Sequence, residues 1–243
     1  MSAFHLFTVA GIPVAISPFY LLLLVLFARG GSAQSMLITG VCVTAALLIH
    51  ELGHALIARK LRRNPSIVLH GFGGATHHER TERDVDEAMI IAMGPATGLA
   101  VALFLWGLAW LSLRFAPELL MSSAAVMHTL NMLLYLSVTW NVLNLLPLWP
   151  LDGGQLLRLG VGRKLNPATA AKVTHGVALA LVVGLFAYCM AVGLHYSVII
   201  LALLGLQNYQ ALREGGAGAP GPSPSARRAT SELSEQAKRA YDE

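Results

Sequence analysis

Six apolar stretches constrain this chain more than any other feature. They run roughly Ile12–Ala28, Met36–Ala58, Ala88–Leu113, Val126–Leu148, Ala171–Leu194 and Tyr196–Leu212. A helix rises about 1.5 Å per residue and the hydrocarbon core of a bilayer is about 30 Å thick, so about 20 apolar residues suffice to cross it. Only 12% of the residues are charged, against roughly 25% in an ordinary soluble domain. The sequence therefore reads as an all-α membrane protein with six transmembrane helices. Phe19–Phe27 also has the look of a signal-peptide core. No Lys or Arg precedes Arg29, however, so the basic region of a signal peptide is missing and an uncleaved first span is expected.

Charge sets the topology. With the N-terminus in the cytoplasm, Arg29 and Arg114 alone of the 17 Lys and Arg fall on the far side. That asymmetry is the positive-inside pattern, with six spans and both ends cytoplasmic. It also accounts for the formal charge of +4 without nucleic acid as a partner. The lipid bilayer is the partner instead, and the plasma membrane is the expected location if the source is prokaryotic. Cys42 and Cys189 lie inside apolar stretches and read as small buried hydrophobes. Residues 1–213 are expected to form one six-helix core. Beyond it, Gly215–Ser225 reads as a flexible linker, and Ser231–Glu243 as a flexible polar tail, compatible with either a short solvated helix or disorder.

The second stretch contains His50-Glu51-Leu52-Gly53-His54. Positions four apart on a helix lie within about 40° of one another and about 6 Å along the axis. His50 and His54 can thus offer imidazole nitrogens to one ion, with Glu51 beside it as general base. Each ionisable group at the centre of a membrane helix costs about 2.5–3.5 kcal/mol on insertion scales. Zinc ligation, on the order of 10 kcal/mol in small zinc peptides, offsets three of them. A catalytic zinc needs a third protein ligand and an open position. Glu79 and Glu82 are downstream carboxylates, but they sit in a charged stretch that reads as a solvated loop. Asp152 ends an otherwise apolar stretch, after Pro147 and Pro150 and before Gly153-Gly154, and is the expected third ligand of one zinc per chain. Its plainer role would be to cap the following helix.

His50-Glu51-Leu52-Gly53-His54 together with Asn144-x-x-Pro147-x-x-x-Leu151-Asp152-Gly153 resembles the site-2 protease family of intramembrane metalloproteases. Phe72-Gly73-Gly74 and Gly94-Pro95 are similar to further family signatures and follow in the same order. The resemblance covers most of residues 1–212. It implies a six-helix core, zinc on His50, His54 and Asp152, Glu51 as base, and cleavage of transmembrane protein substrates. It also implies a part for Asn144 in substrate handling or oxyanion binding. Gly98 stands where many members carry Asn, so no polar role passes to that position, and Gly94 with Gly98 reads as a close helix contact. The resemblance is to a compact form without PDZ or CBS domain.

Phe4–Val14 and Ile67–His77 contain β-branched and aromatic residues, the second with a Gly71-Phe72-Gly73-Gly74 turn. They are expected to form short β-strands or a hairpin at the cytoplasmic face. There an edge near Gly73 and Gly74 would pair with an unwound substrate. His77-His78 reads as solvated, His128, His175 and His195 as rings near span ends, and Asn208 as having no evident chemistry. Two other functions compete: a membrane metal transporter and an inactive relative that binds membrane helices. A transport path strings polar residues along several spans, whereas here they converge at one depth.

Overall fold

A computed structural model of the chain describes residues 3–27, 32–118 and 123–214, the side chains of residues 195 and 196 excepted. Arg29, the linker at Gly215–Ser225 and the polar tail Ser231–Glu243 lie outside the described residues. The chain is mainly helical with one small sheet. It divides into two compact units, one built within Met1–Asn141 and one within Val142–Gly221.

The first unit opens with β1 (Phe4–Val9) and β2 (Ile12–Ile16), followed by the short helix α1 (Tyr20–Phe27) and the long helix α2 (Ala33–Lys60). Strands β3 (Ser66–His70) and β4 (Gly73–His77) come next, then α3 (Asp84–Phe115) and α4 (Ala124–Asn144), which belongs to this unit as far as Asn141. The sheet order is β1-β2-β3-β4, antiparallel at both ends and parallel between β2 and β3. Ala10 and Gly11 both have positive φ, as a two-residue hairpin turn matched to strand twist requires.

The expected strands are present, and they correct the first expected span. Ile12–Ile16 is β2, so the stretch from Ile12 to Ala28 is not one helix, and α1 has 8 residues among those described. Hydropathy cannot tell a buried strand from the start of a helix. Local chemistry can, because Val14 and Ile16 are β-branched and Pro18 biases Ser17 toward extended backbone. Pro13 precedes the stretch Val14–Ile16 that pairs with β3, so its missing N–H removes no bond from that ladder.

Helix α2 holds the unit together. Ser32 caps its start by accepting from the Ser35 N–H, and Arg59 and Lys60 lie in its last turn, where the helix dipole favours cations. Arg59 also donates to the Ala10 carbonyl in the β1–β2 turn. The core joins Ile12, Val14, Ile67 and Leu69 of the sheet to Cys42, Val43, Ala46, Leu47 and Ala55 of α2. The Tyr20 hydroxyl, in α1, donates to Thr44 Oγ1 at 2.8 Å.

The second unit contains α5 (Asp152–Gly162), α6 (Pro167–Ala191) and α7 (His195–Arg213). Its core gathers Leu148, Ala178, Val182, Cys189 and Leu201. Both cysteines are free and buried, as expected. Among the described residues α2, α3 and α6 are long and apolar enough to cross a membrane. On α3, Leu103, Phe104, Trp106 and Trp110 are all exposed, an outer surface that suits lipid.

Candidate metal centre

His50 and His54 face α3 and α4 from successive turns of α2, with 2% and 7% of their surface exposed. Gly53 lets α3 come close: a Cβ there would lie 2.3 Å from the Met93 carbonyl oxygen. Gly94 has the same role from the other side, where a Cβ would lie 2.0 Å from His54 Nε2. The close helix contact expected at Gly94 and Gly98 is present, and it is built around these two side chains and Asn141.

Each ring is oriented by its other nitrogen. His54 Nδ1 lies 2.8 Å from the Ile90 carbonyl oxygen, which only accepts, so Nδ1 carries the proton. His50 Nδ1 lies 2.7 Å from Asn141 Oδ1, while Asn141 Nδ2 donates to the Ser137 carbonyl at 2.6 Å. That second bond assigns the amide, and His50 Nδ1 is therefore a donor too. Both Nε2 atoms then present lone pairs to each other at 3.1 Å. Two lone pairs repel at this distance, and a cation between them reverses the sign. Nitrogen ligands of a tetrahedral ion, at about 2.0–2.1 Å from it, are roughly 3.3 Å apart. The pair fits a metal, and Asn141 and the Ile90 carbonyl supply the outer hydrogen bonds that metal-binding histidines need.

Glu51 is 4% exposed and belongs to the same unit. The Thr76 hydroxyl of β4 lies 2.7 Å from its Oε2 and 3.0 Å from its main-chain oxygen. A Cβ on Gly74 would lie 2.6 Å from Glu51 Oε1, and one on Gly73 would lie 2.7 Å from the Trp140 ring. Gly73 also has a φ of 129°. Both glycines are thus required by close approach, Gly74 directly against the carboxylate.

Asp152 lies in the second unit as the first residue of α5 and is 7% exposed. Gly153 and Gly154 follow it, both buried against backbone: added Cβ atoms would lie 2.1 Å from the Leu145 oxygen and 2.5 Å from the Trp149 nitrogen. His50, His54 and Asp152 are each buried and each offers one ligand atom. Asn144, also in the second unit, is the half-buried last residue of α4. Glu79, the downstream alternative, is exposed and accepts from Asn64 Nδ2 at 2.8 Å.

The structure brings together His50, Glu51, His54 and Gly74 in one unit, with Gly73 one residue away. Sequence reasoning missed Asn141 and Thr76. Asn141 was findable as a polar side chain in an apolar helix, one turn before Asn144. Thr76 carries no such signal, because an alternating strand position is polar for many reasons.

Residues 113–185, a stretch that includes Asn144 and Asp152, match the model of Peptidase family M50. The chain is 36% identical over 182 residues to Rip3 of Mycobacterium tuberculosis, covering 72% of this chain and 44% of that protein. It is 30% identical over 155 residues to Stage IV sporulation protein FB of Bacillus subtilis, covering 63% and 49%. The chain thus spans about half the length of these curated relatives. Its fold is similar to that of a site-2 protease from Methanocaldococcus jannaschii, with a TM-score of 0.61 at 19% identity over 86% of this chain and 94% of that one. The chain belongs to peptidase family M50, the site-2 protease family.

Proposed function

We propose that this chain is an intramembrane zinc metalloprotease that cleaves peptide bonds in substrate transmembrane helices. One observation carries the reading: two buried histidines on an apolar helix aim Nε2 lone pairs at each other across 3.1 Å, with a buried carboxylate on the adjoining residue. The relatives support the metal, since a further one from Methanocaldococcus jannaschii, 26% identical over 211 residues, is itself described as a zinc metalloprotease.

In this reading His50, His54 and Asp152 hold the zinc through two nitrogens and one carboxylate oxygen. Their burial and donor types support the assignment, which fits a three-ligand catalytic site. Bound zinc supplies Lewis acidity, polarising the scissile carbonyl and acidifying water. Glu51 takes the proton from the attacking water and returns it to the leaving amine. The Thr76 hydroxyl steadies Oε2 during that transfer, and Oε1 lies beside Gly74. Asn144 assists at the oxyanion.

A helical substrate hides its peptide bonds and has to unwind first. β4 is an edge strand, and its unpaired side suits an extended segment added beside Gly73 and Gly74, next to Glu51. The proposed setting is a multi-pass membrane protein whose residues 1–213 form one core. Both termini are cytoplasmic, as the Lys and Arg distribution supports.

The test is reconstitution with a transmembrane peptide, wild type against Glu51→Gln. Cleavage that disappears in Glu51→Gln while zinc remains bound supports the protease. Zinc flux that survives the substitution, with no cleavage in either form, favours a transporter. Peptide binding without cleavage in the zinc-loaded wild type favours the inactive binder.

A further inference from the structure

Two polar side chains with no part in the chemistry above, His175 and Asn208, are fully buried in the second unit at 0% exposure each. From the sequence they read as a ring near a span end and an amide without evident chemistry; the structure adds that both are hydrogen-bonded inside the unit. Asn208 Nδ2, on α7, donates to the Trp149 and Leu204 carbonyls, both at 2.8 Å. Its Oδ1 lies 2.8 Å from His175 Nδ1 on α6. With the amide so assigned, Nδ1 is the donor. The His175 ring also meets the Trp149 indole edge-on, with centroids 5.8 Å apart, and the Arg158 guanidinium lies 5.0 Å from the indole centroid. Residues from α5, α6 and α7 therefore converge on Trp149.

Trp149 stands three residues before Asp152, and little slack separates them. The Leu151 N–H donates to the Leu148 carbonyl at 2.8 Å, and Gln155 Nε2 donates to the Pro150 carbonyl at 3.1 Å. Gly153 and Gly154 press backbone to backbone on Leu145 and Trp149 with no room for a side chain. A displacement of the Trp149 peptide therefore passes to Asp152. Packing alone does not explain the pair. His175 Nε2 and Trp149 Nε1 are buried with no hydrogen-bond partner among the described residues, a cost that two apolar rings would not carry. The cluster keeps a hydrogen-bonding ring where a phenyl would pack more cheaply.

We infer that His175 and Asn208 are positioning residues for the Asp152 carboxylate: through the Trp149 carbonyl they fix the turn from which Asp152 emerges. The inference rests on the proposed role of Asp152 as a zinc ligand. His175 orients the Asn208 amide, Asn208 clamps the turn, and neither touches metal or substrate.

The test measures zinc affinity of the full chain in detergent by competition with a chromophoric chelator, alongside melting of the metal-free protein. Asn208→Leu keeps the approximate shape and removes both donated bonds, and His175→Phe keeps the ring and removes its N–H. Each should weaken zinc binding at least about tenfold, the scale of outer-shell losses, with cooperative metal-free melting preserved. His175→Asn returns an N–H near the Nδ1 position and should recover most of the affinity. Asp152→Asn serves as the reference and should lose more than either. Wild-type affinity in Asn208→Leu and His175→Phe, with Asp152→Asn impaired, overturns the positioning role and leaves the ligand reading standing. Unchanged affinity in Asp152→Asn removes the ligand reading, and this inference with it. If Asn208→Leu and His175→Phe do not fold, His175→Asn is compared with His175→Gln, whose amide reaches the Nε2 position instead. Equal affinities in that pair overturn the inference, and tighter binding by His175→Asn supports it.

Discussion

Gly94→Ala places one methyl group where the proposed metal centre has no space. The added Cβ would lie 2.0 Å from His54 Nε2, and ordinary contact begins at 3.4 Å, so ring and helix must separate by about 1.4 Å. The ring cannot turn aside freely, because Nδ1 is held at 2.8 Å from the Ile90 carbonyl on the same helix as Gly94. Metal–ligand distances tolerate only about 0.2 Å. A shift several times larger removes His54 as a ligand, so zinc affinity should fall at least about 100-fold, equivalent to about 2.7 kcal/mol. Overpacking should cost a further 1–3 kcal/mol or so in stability. The assay is chelator competition on the full chain in detergent, with thermal melting alongside. Gly107→Ala is the control, since it lies on the same helix with no described residue within 4 Å of its added Cβ. It should bind zinc normally. Zinc affinity in Gly94→Ala within about threefold of wild type would refute the reasoning, because the ring could then have given way without leaving the metal.

Thr76→Val keeps the strand and removes the hydroxyl that meets Glu51; kcat should fall about 10- to 100-fold, the worth of a hydrogen bond to a charged group. Zinc affinity should stay unchanged, and a parallel loss of zinc would show that Thr76 supports the histidines instead. Asn141→Leu strips the acceptor from His50 Nδ1 and should weaken zinc about 10- to 100-fold, whereas Asn141→Asp, which keeps an acceptor, should retain most of it. Acid should loosen the β3–β4 hairpin, because burial holds His70 and His77 below the usual 6.5, with neighbouring His77 and His78 respectively adding to it. The opened hairpin then binds more protons, so stability is full above about pH 6.5, declines as the pH falls toward the lowered folded values, and levels off below them. Hydrogen exchange over Ser66–His77 at pH 7.5 and 5.5, corrected for intrinsic rates, measures this; equal protection at both pH values would contradict it, and His77→Gln should reduce the difference.

Much of the proposed centre is legible along the chain because helical spacing is a local rule. His50, Glu51 and His54 lie within five residues, and α2 runs over Ala33–Lys60 where Met36–Ala58 was expected. The strands near Phe4 and Ile67 were legible for a similar reason, since β-branched residues between turn signals specify extended backbone within a few positions. The first span was not legible. Hydropathy sums apolar character over a window and cannot distinguish Ile12–Ile16 in a sheet from a helix in lipid.

The sequence by itself determined the ingredients: a chain too apolar for water, two histidines and a glutamate within five residues of one helix, and an aspartate set between prolines and glycines. Only the tertiary structure decided their chemical state. Asn141 and the Ile90 carbonyl, far along the chain from His50 and His54, fix which nitrogen of each ring carries its proton. Thr76 and Gly74 fix where Glu51 sits, and Asn208 with His175 holds the turn before Asp152. The physical reason is that hydrogen bonds and backbone contacts act across about 3 Å of space whatever the separation in sequence. Periodicity therefore reveals which residues share a face, but not which partner meets them there.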